Sequence, residues 1–232
     1  MLTPDGRVVM VSGASRGIGR AVAERLSADG FRLSLGARNP ASLADLAGPA
    51  VLTHAHAAES RASAEAWVQA TLDRFGRLDG LVNNAGSGIV ARLEDDDAAF
   101  EQLHQVNTMG PLRLLRAALP HLRQAGTGRI VNVISLSGKR VANDNTGYAM
   151  SKFAALALSH AVRRAAWDDG VRVCAVCPSF VATDMTAGAK SVAPEEMIQP
   201  ADLASLIRTV LLLPNTAVVS DLLVNCRFDP ML

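Results

Sequence analysis

Tyr148 and Lys152 stand four residues apart, a spacing that puts both side chains on one face of a helix, one turn from each other. An ammonium held beside a phenol favours the phenolate and draws a tyrosine pKa down from about 10 toward working pH. A tyrosine so placed can serve as an acid or a base. The spacing has this meaning only in a helix. Phe153 to Trp167, rich in Ala and Leu, predicts one with a broad apolar face. An isolated Tyr-x-x-x-Lys is more often a surface pair, so the elements around it must decide.

Those elements begin at the N-terminus. Arg7 to Val11 is an apolar run of strand length, followed by Ser12-Gly13-Ala14-Ser15-Arg16-Gly17-Ile18-Gly19 and a helical pattern from Arg20 to Ala28. Strand, glycine-rich turn and helix form the start of a dinucleotide-binding unit. The spacing is Gly13-x-x-x-Gly17-x-Gly19 rather than Gly-x-Gly-x-x-Gly. Its physical demands are shared: a tight exit from the strand, backbone that can approach a phosphate, and close packing of the helix. The helix N-terminus offers free N–H groups to a pyrophosphate.

Phe31 to Gly36 predicts the second strand, whose end would meet an adenosine ribose. Ala37-Arg38 stands there in place of an acid. Arg38, with Arg16 as a second guanidinium, could hold a 2′-phosphate, which favours NADP over NAD; two solvated arginines are the plain alternative. Ala50 to His54, Leu78 to Val82, Arg129 to Ile134, Val171 to Val176 and Leu222 to Val224 predict five further strands, and Glu59 to Phe75 a helix. Asn83-Asn84-Ala85-Gly86 leaves the fourth strand. Small and amide residues there can lie beside a flat ring and brace the sheet, or form only a turn.

Phe100 to Arg123 reads as one helix with Gly110-Pro111 inside it. Proline has no N–H, so the carbonyl of Asn107 loses its helical donor and is freed for another, such as water. Ser135 ends the fifth strand, and Pro178 to Thr183 leaves the sixth. Ligands of doubly wound sheets bind beyond the carboxyl ends of strands, so these segments and the glycine turn are expected on one rim. Residues 184–199, polar and Pro-containing, are expected to form a substrate lid or an ordinary connection. Alternating strands and helices predict a single α/β domain over residues 1–232, a doubly wound sheet of about seven mostly parallel strands with helices on both faces.

The bulk properties agree. The 232 residues are 49% hydrophobic with a formal charge of +1, which suits one sizeable core and gives no reason to expect nucleic acid or a membrane surface as a partner. No signal-peptide pattern or spanning apolar run is present, so a cytoplasmic location is expected. Three cysteines argue against a disulfide framework. Cys174 and Cys177 lie three apart in a strand and should point to opposite faces as core packing. His54 and His56 could share a strand face, but without further ligands they make no metal site, and no metal is expected.

Taken together and in order, Gly13-x-x-x-Gly17-x-Gly19, Asn83-Asn84-Ala85-Gly86, Asn107, Ser135, Tyr148-x-x-x-Lys152 and Pro178 through Thr183 resemble the short-chain dehydrogenase/reductase family over nearly the whole chain. The resemblance implies a Rossmann-like fold and hydride transfer between NADP(H), or NAD(H), and a carbonyl or alcohol. It implies Tyr148 as acid/base and Lys152 as the group that lowers its pKa and holds the nicotinamide ribose. Ser135 would bind the substrate oxygen, and the Asn107 carbonyl would hold a relay water. Gly13, Ser15, Arg16, Gly17, Ile18, Gly19, Arg38, Asn84, Ala85 and Gly86 would line the cofactor site, with Pro178, Val181 and Thr183 at the carboxamide. It further implies a homotetramer or homodimer. Departures are Ala57, where an adenine-binding aspartate often stands; Ser179, where a glycine often follows the proline; and Asn225-Cys226-Arg227-Phe228 in place of a glycine pair. A cofactor-sensing protein without catalysis, a reductase of another C=N or C=C substrate, and an epimerase or dehydratase are the competing readings. Retention of Asn107, Ser135, Tyr148 and Lys152 argues for catalysis.

Overall fold

In the computed structural model, residues 1–229 are described. Seven strands form one parallel sheet in the order β3-β2-β1-β4-β5-β6-β7: β1 Val8–Ser12, β2 Arg32–Ala37, β3 Val51–Ala55, β4 Gly80–Asn83, β5 Arg129–Val133, β6 Arg172–Pro178 and β7 Asp221–Val224. The near-continuous apolar runs of β1, β4 and β6 follow from burial on both faces of a parallel sheet. Helices α1 (Gly17–Ala28) and α6 (Pro200–Leu212) cover one face. The other face carries α2 (Arg61–Phe75), α4 (Gly110–Gln124) and α5 (Thr146–Ala165). Cys174 packs in the first of these cores and Cys177 in a separate cluster with Ile134 and Leu156, so the two thiols point apart as the strand period requires.

Strand order reverses between β1 and β4, where both neighbours leave their carboxyl ends toward the same rim. This is the crevice position of doubly wound sheets. At the opposite end of the strands, buried Arg129 donates to the carbonyls of Leu213 and Gly128 and to Asn215, and Arg7 donates to the carbonyls of Asp79 and Thr127. That end is saturated with internal partners.

The helix expected from Phe100 to Arg123 is not continuous. It divides into α3 (Asp97–His104), a π-helical turn at Gln105–Met109, and α4. Gly110 N–H bonds to the carbonyl of Gln105, five residues back. The missing N–H of Pro111 is thus accommodated by widening one turn. Helix α5 starts at Thr146, earlier than Phe153, because Asn145 caps it through a bond from Tyr148 N–H to Asn145 Oδ1. Tyr148 therefore lies in its first turn and Lys152 one turn on.

Candidate active site

Beyond β1, Gly13 has φ +64°, a conformation that suits glycine. The turn it opens is pinned by the Asn84 segment together with Ser12, which carried no signal of its own in the sequence. Ser12 Oγ accepts from the N–H groups of Asn84 and Ala85 at 2.9 and 3.0 Å. Asn84 Nδ2 donates to the carbonyls of Ser12 and Gly13. A Cβ on Gly19 would stand 2.3 Å from the Gly13 carbonyl and 2.4 Å from Asn84 Nδ2. Glycine at 19 is therefore demanded by the turn and its asparagine brace. Ser12 follows the apolar run directly, so only its position at the strand end could have marked it.

The first turn of α1 has no side-chain cap at Arg16 and no acidic residue. Its backbone donors are the free N–H groups of a helix start, and an anionic diphosphate fits this glycine-lined cradle. Ser15 and Ile18 flank it, both partly buried. Arg38, directly after β2, is exposed and pairs with no carboxylate among the described residues. Arg16 is not free: its Nη1 lies 3.1 Å from Asp184 Oδ2. Near Ala57, His56 turns inward against Trp67, with ring centroids 4.8 Å apart. His56 is 5% exposed, and its Nδ1 has no hydrogen-bond partner. Burial lowers its pKa to about 4.

The proton-handling residues come together between β4, β5, the π-helical turn and α5. Lys152 is buried, its Nζ 5.5 Å from the centre of the Tyr148 ring and 3.3 Å from the Val133 carbonyl. A Cβ on Gly86 would meet Asn107 Oδ1 at 3.3 Å and Lys152 Nζ at 3.8 Å, so these three positions adjoin. Ser135 caps a short turn through a bond from Ser137 N–H, and its hydroxyl lies near enough to the Tyr148 phenol to draw the phenol's pKa down. A cavity of about 10 Å³ is lined by Asn83, Asn107, Pro111, Asn132 and Lys152, among others. Its lining is mixed, with Ala85, Val133 and Leu158 beside the polar groups, and it is of the size that holds one water.

The electrostatics differ from the sequence expectation. Burial raises the Tyr148 pKa, and Ser135 offsets this only in part. Lys152 sits beside the ring, and burial lowers its own pKa to about 8. The phenol is therefore held protonated here, with desolvation outweighing the influence of Ser135.

Besides its backbone carbonyl, Asn107 brings an engaged side chain to the site. Its Oδ1 accepts from Ser87 N–H at 2.8 Å, and its Nδ2 donates to the Ser87 carbonyl and to Ser151 Oγ. Ser151 Oγ donates to the Tyr148 carbonyl at 2.8 Å, and Thr108 Oγ1 to the Ser151 carbonyl. Ser151, between Tyr148 and Lys152, was not flagged because a serine inside a helix gives no chemical signal of its own. At the rim beyond Pro178, the Val181 carbonyl accepts from the hydroxyls of Thr183 and Thr186. Ser179 Oγ accepts from Cys226 N–H. The 184–199 segment is anchored by buried Val192, Met197 and Ile198, with a bridge between Val181 and Ile198.

Comparison with known proteins bears on the family and the fold. A family profile described as short chain dehydrogenase matches residues 7–193. An agropine synthesis reductase of Rhizobium rhizogenes is 43% identical over 225 residues, covering 94% of this chain and 52% of the relative. The chain thus spans about half the length of these reductases. Among solved structures, an alcohol dehydrogenase from the archaeon Thermococcus sibiricus complexed with 5-hydroxy-NADP superimposes with a TM-score of 0.86 at 33% identity, covering 94% of this chain and 95% of that one. A variant actinorhodin polyketide ketoreductase with NADPH has a TM-score of 0.85 at 28% identity, covering 97% and 98%.

Proposed function

Because the chain belongs to the short-chain dehydrogenase family, we propose that it is an NADP(H)-dependent oxidoreductase interconverting a carbonyl and a secondary alcohol, with Tyr148 as the acid/base. The observation that carries this reading is buried Lys152 over the Tyr148 ring at 5.5 Å, with Ser135 acting on the same phenol and Asn107 and Gly86 adjoining the ammonium. When bound, the nicotinamide supplies a hydride to the carbonyl carbon or takes one from the alcohol. The raised pKa of Tyr148 keeps its proton available for the oxygen that becomes the alcohol. Ser135 Oγ donates to that same oxygen, and its hydrogen bond strengthens as negative charge grows there. Lys152, an ammonium below its pKa of about 8, then favours the phenolate left behind. A water in the cavity between Lys152 and Asn107 returns the proton.

For the cofactor, the backbone from Gly13 to Gly19, with Ser15, Arg16 and Ile18, would hold the pyrophosphate. Asn84, Ala85 and Gly86 would flank the ring system. Pro178, Val181 and Thr183 would face the carboxamide. Arg38, with Arg16, would hold the 2′-phosphate, and unpaired Arg38 at the ribose end favours NADP over NAD. The oxygen-bound partner is a small carbonyl compound. Titrating wild type and Arg38→Ala with NADPH and NADH tests the cofactor reading. The variant should weaken NADPH by about 10- to 100-fold, the effect of losing one charged hydrogen bond, and leave NADH within about twofold. Equal losses for both would refute it.

A further inference from the structure

The phosphate turn and the start of the 184–199 segment touch at two adjoining points. A Cβ on Gly17 would stand 3.1 Å from Thr183 Cγ2. Next to that contact, Arg16 Nη1 and Asp184 Oδ2 form an ion pair at 3.1 Å. Arg16 is one of two guanidinium groups at this end of the site, and the other, Arg38, is exposed and has no acidic partner among the described residues. The basic character available to an incoming phosphate is therefore unevenly held: one arginine stands free, and one is engaged by a carboxylate of the same chain.

We propose that Asp184 is a specificity-determining residue that competes with the cofactor's 2′-phosphate for Arg16. This rests on the NADP(H) reading above. A phosphate dianion and a carboxylate repel each other, so one guanidinium cannot hold both at full strength. The exchange is cheap for the protein. The side chains of Arg16 and Asp184 are 70% and 73% exposed, so a released Asp184 carboxylate returns to water with little loss. NADH carries no 2′-phosphate and leaves the pair intact. Asp184 thereby lowers the preference for NADPH over NADH below what Arg16 and Arg38 would give together.

The test is a double-mutant cycle on the intact chain, with dissociation constants for NADPH and NADH measured by nicotinamide fluorescence at low ionic strength. Asp184→Asn, and Asp184→Ser as a second variant, should tighten NADPH by about two- to fivefold, the range of an exposed ion pair, and change NADH by less. In an Arg16→Ala background the same substitutions should give no selective gain for NADPH. A gain that persists without Arg16, or that is equal for both cofactors, overturns the proposal. Weaker binding of both cofactors does so too, since it would mean the ion pair closes over the cofactor. Wild type that binds NADH as tightly as NADPH would overturn the NADP reading and this inference with it. NADPH preference with no response to Asp184 substitution would overturn the inference alone.

Discussion

Asn107 Nδ2 donates to Ser151 Oγ across 3.0 Å, joining the π-helical turn to the helix that bears Tyr148 and Lys152. Ser151 passes the link on by donating to the Tyr148 carbonyl. The widened turn created around Pro111 is thus coupled to the first turn of α5 through one buried hydroxyl.

Ser151→Ala breaks that link and leaves one Asn107 N–H unpaired in a buried setting. Stability should fall by about 1–2 kcal/mol in urea unfolding. Turnover should fall by about 10- to 100-fold, with KM and cofactor affinity near wild type, as expected when a reacting group is misplaced rather than a binding group lost. Loss of stability with unchanged kcat would reduce Ser151 to a packing residue.

Lys152 is expected to be a liability for folding. Burial lowers its pKa from 10.5 to about 8, so between these values the unfolded chain binds more protons than the folded one. This group's contribution therefore rises with pH across that window, and its penalty is full below pH 8. Lys152→Met should raise cofactor-free stability at pH 7 by about 1–3 kcal/mol while abolishing most turnover. A destabilised variant would show that the bond to the Val133 carbonyl outweighs desolvation.

Much of this was readable before any coordinates. The strands are apolar runs of the right length, and the parallel order follows from their alternation with helices. Tyr148 and Lys152 could be named from their spacing and the Asn107 carbonyl from Pro111, while the role of Ser135 rested on the family resemblance; the fold brings Asn107, Tyr148 and Lys152 together. What the sequence hid has physical causes. The π-helical turn depends on how the chain absorbs one missing hydrogen bond, and a pattern of apolar residues looks the same through either kind of turn. Ser12 and Ser151 act through bonds to residues far away in the chain, Asn84 and Ala85 for the first and Asn107 for the second, which no local spacing reveals. The direction of the Tyr148 shift depends on how completely the phenol is desolvated. The pairing of Arg16 with Asp184 joins residues 168 positions apart.

His56 provides a pH signature remote from the chemistry. Its pKa is lowered from 6.5 to about 4 by burial, so the unfolded chain takes up the proton first as pH falls. The stability contribution is fully present above pH 6.5 and is lost progressively down to about pH 4, by as much as about 3 kcal/mol. Urea unfolding of His56→Phe across pH 4–7 should show a shallower acid loss than wild type. Parallel curves would mean that protonated His56 finds a partner in the fold.

The central claim is that Tyr148 transfers the proton in a carbonyl–alcohol interconversion. NADPH consumption across a panel of ketones and aldehydes, measured for wild type and Tyr148→Phe at matched cofactor saturation, tests it most directly. The account predicts turnover on at least one carbonyl by wild type. It predicts a fall of roughly 100- to 10,000-fold in the variant, the range for losing a general acid, with NADPH affinity kept. Near-normal turnover by Tyr148→Phe would contradict it, as would tight NADPH binding by wild type with no carbonyl reduced.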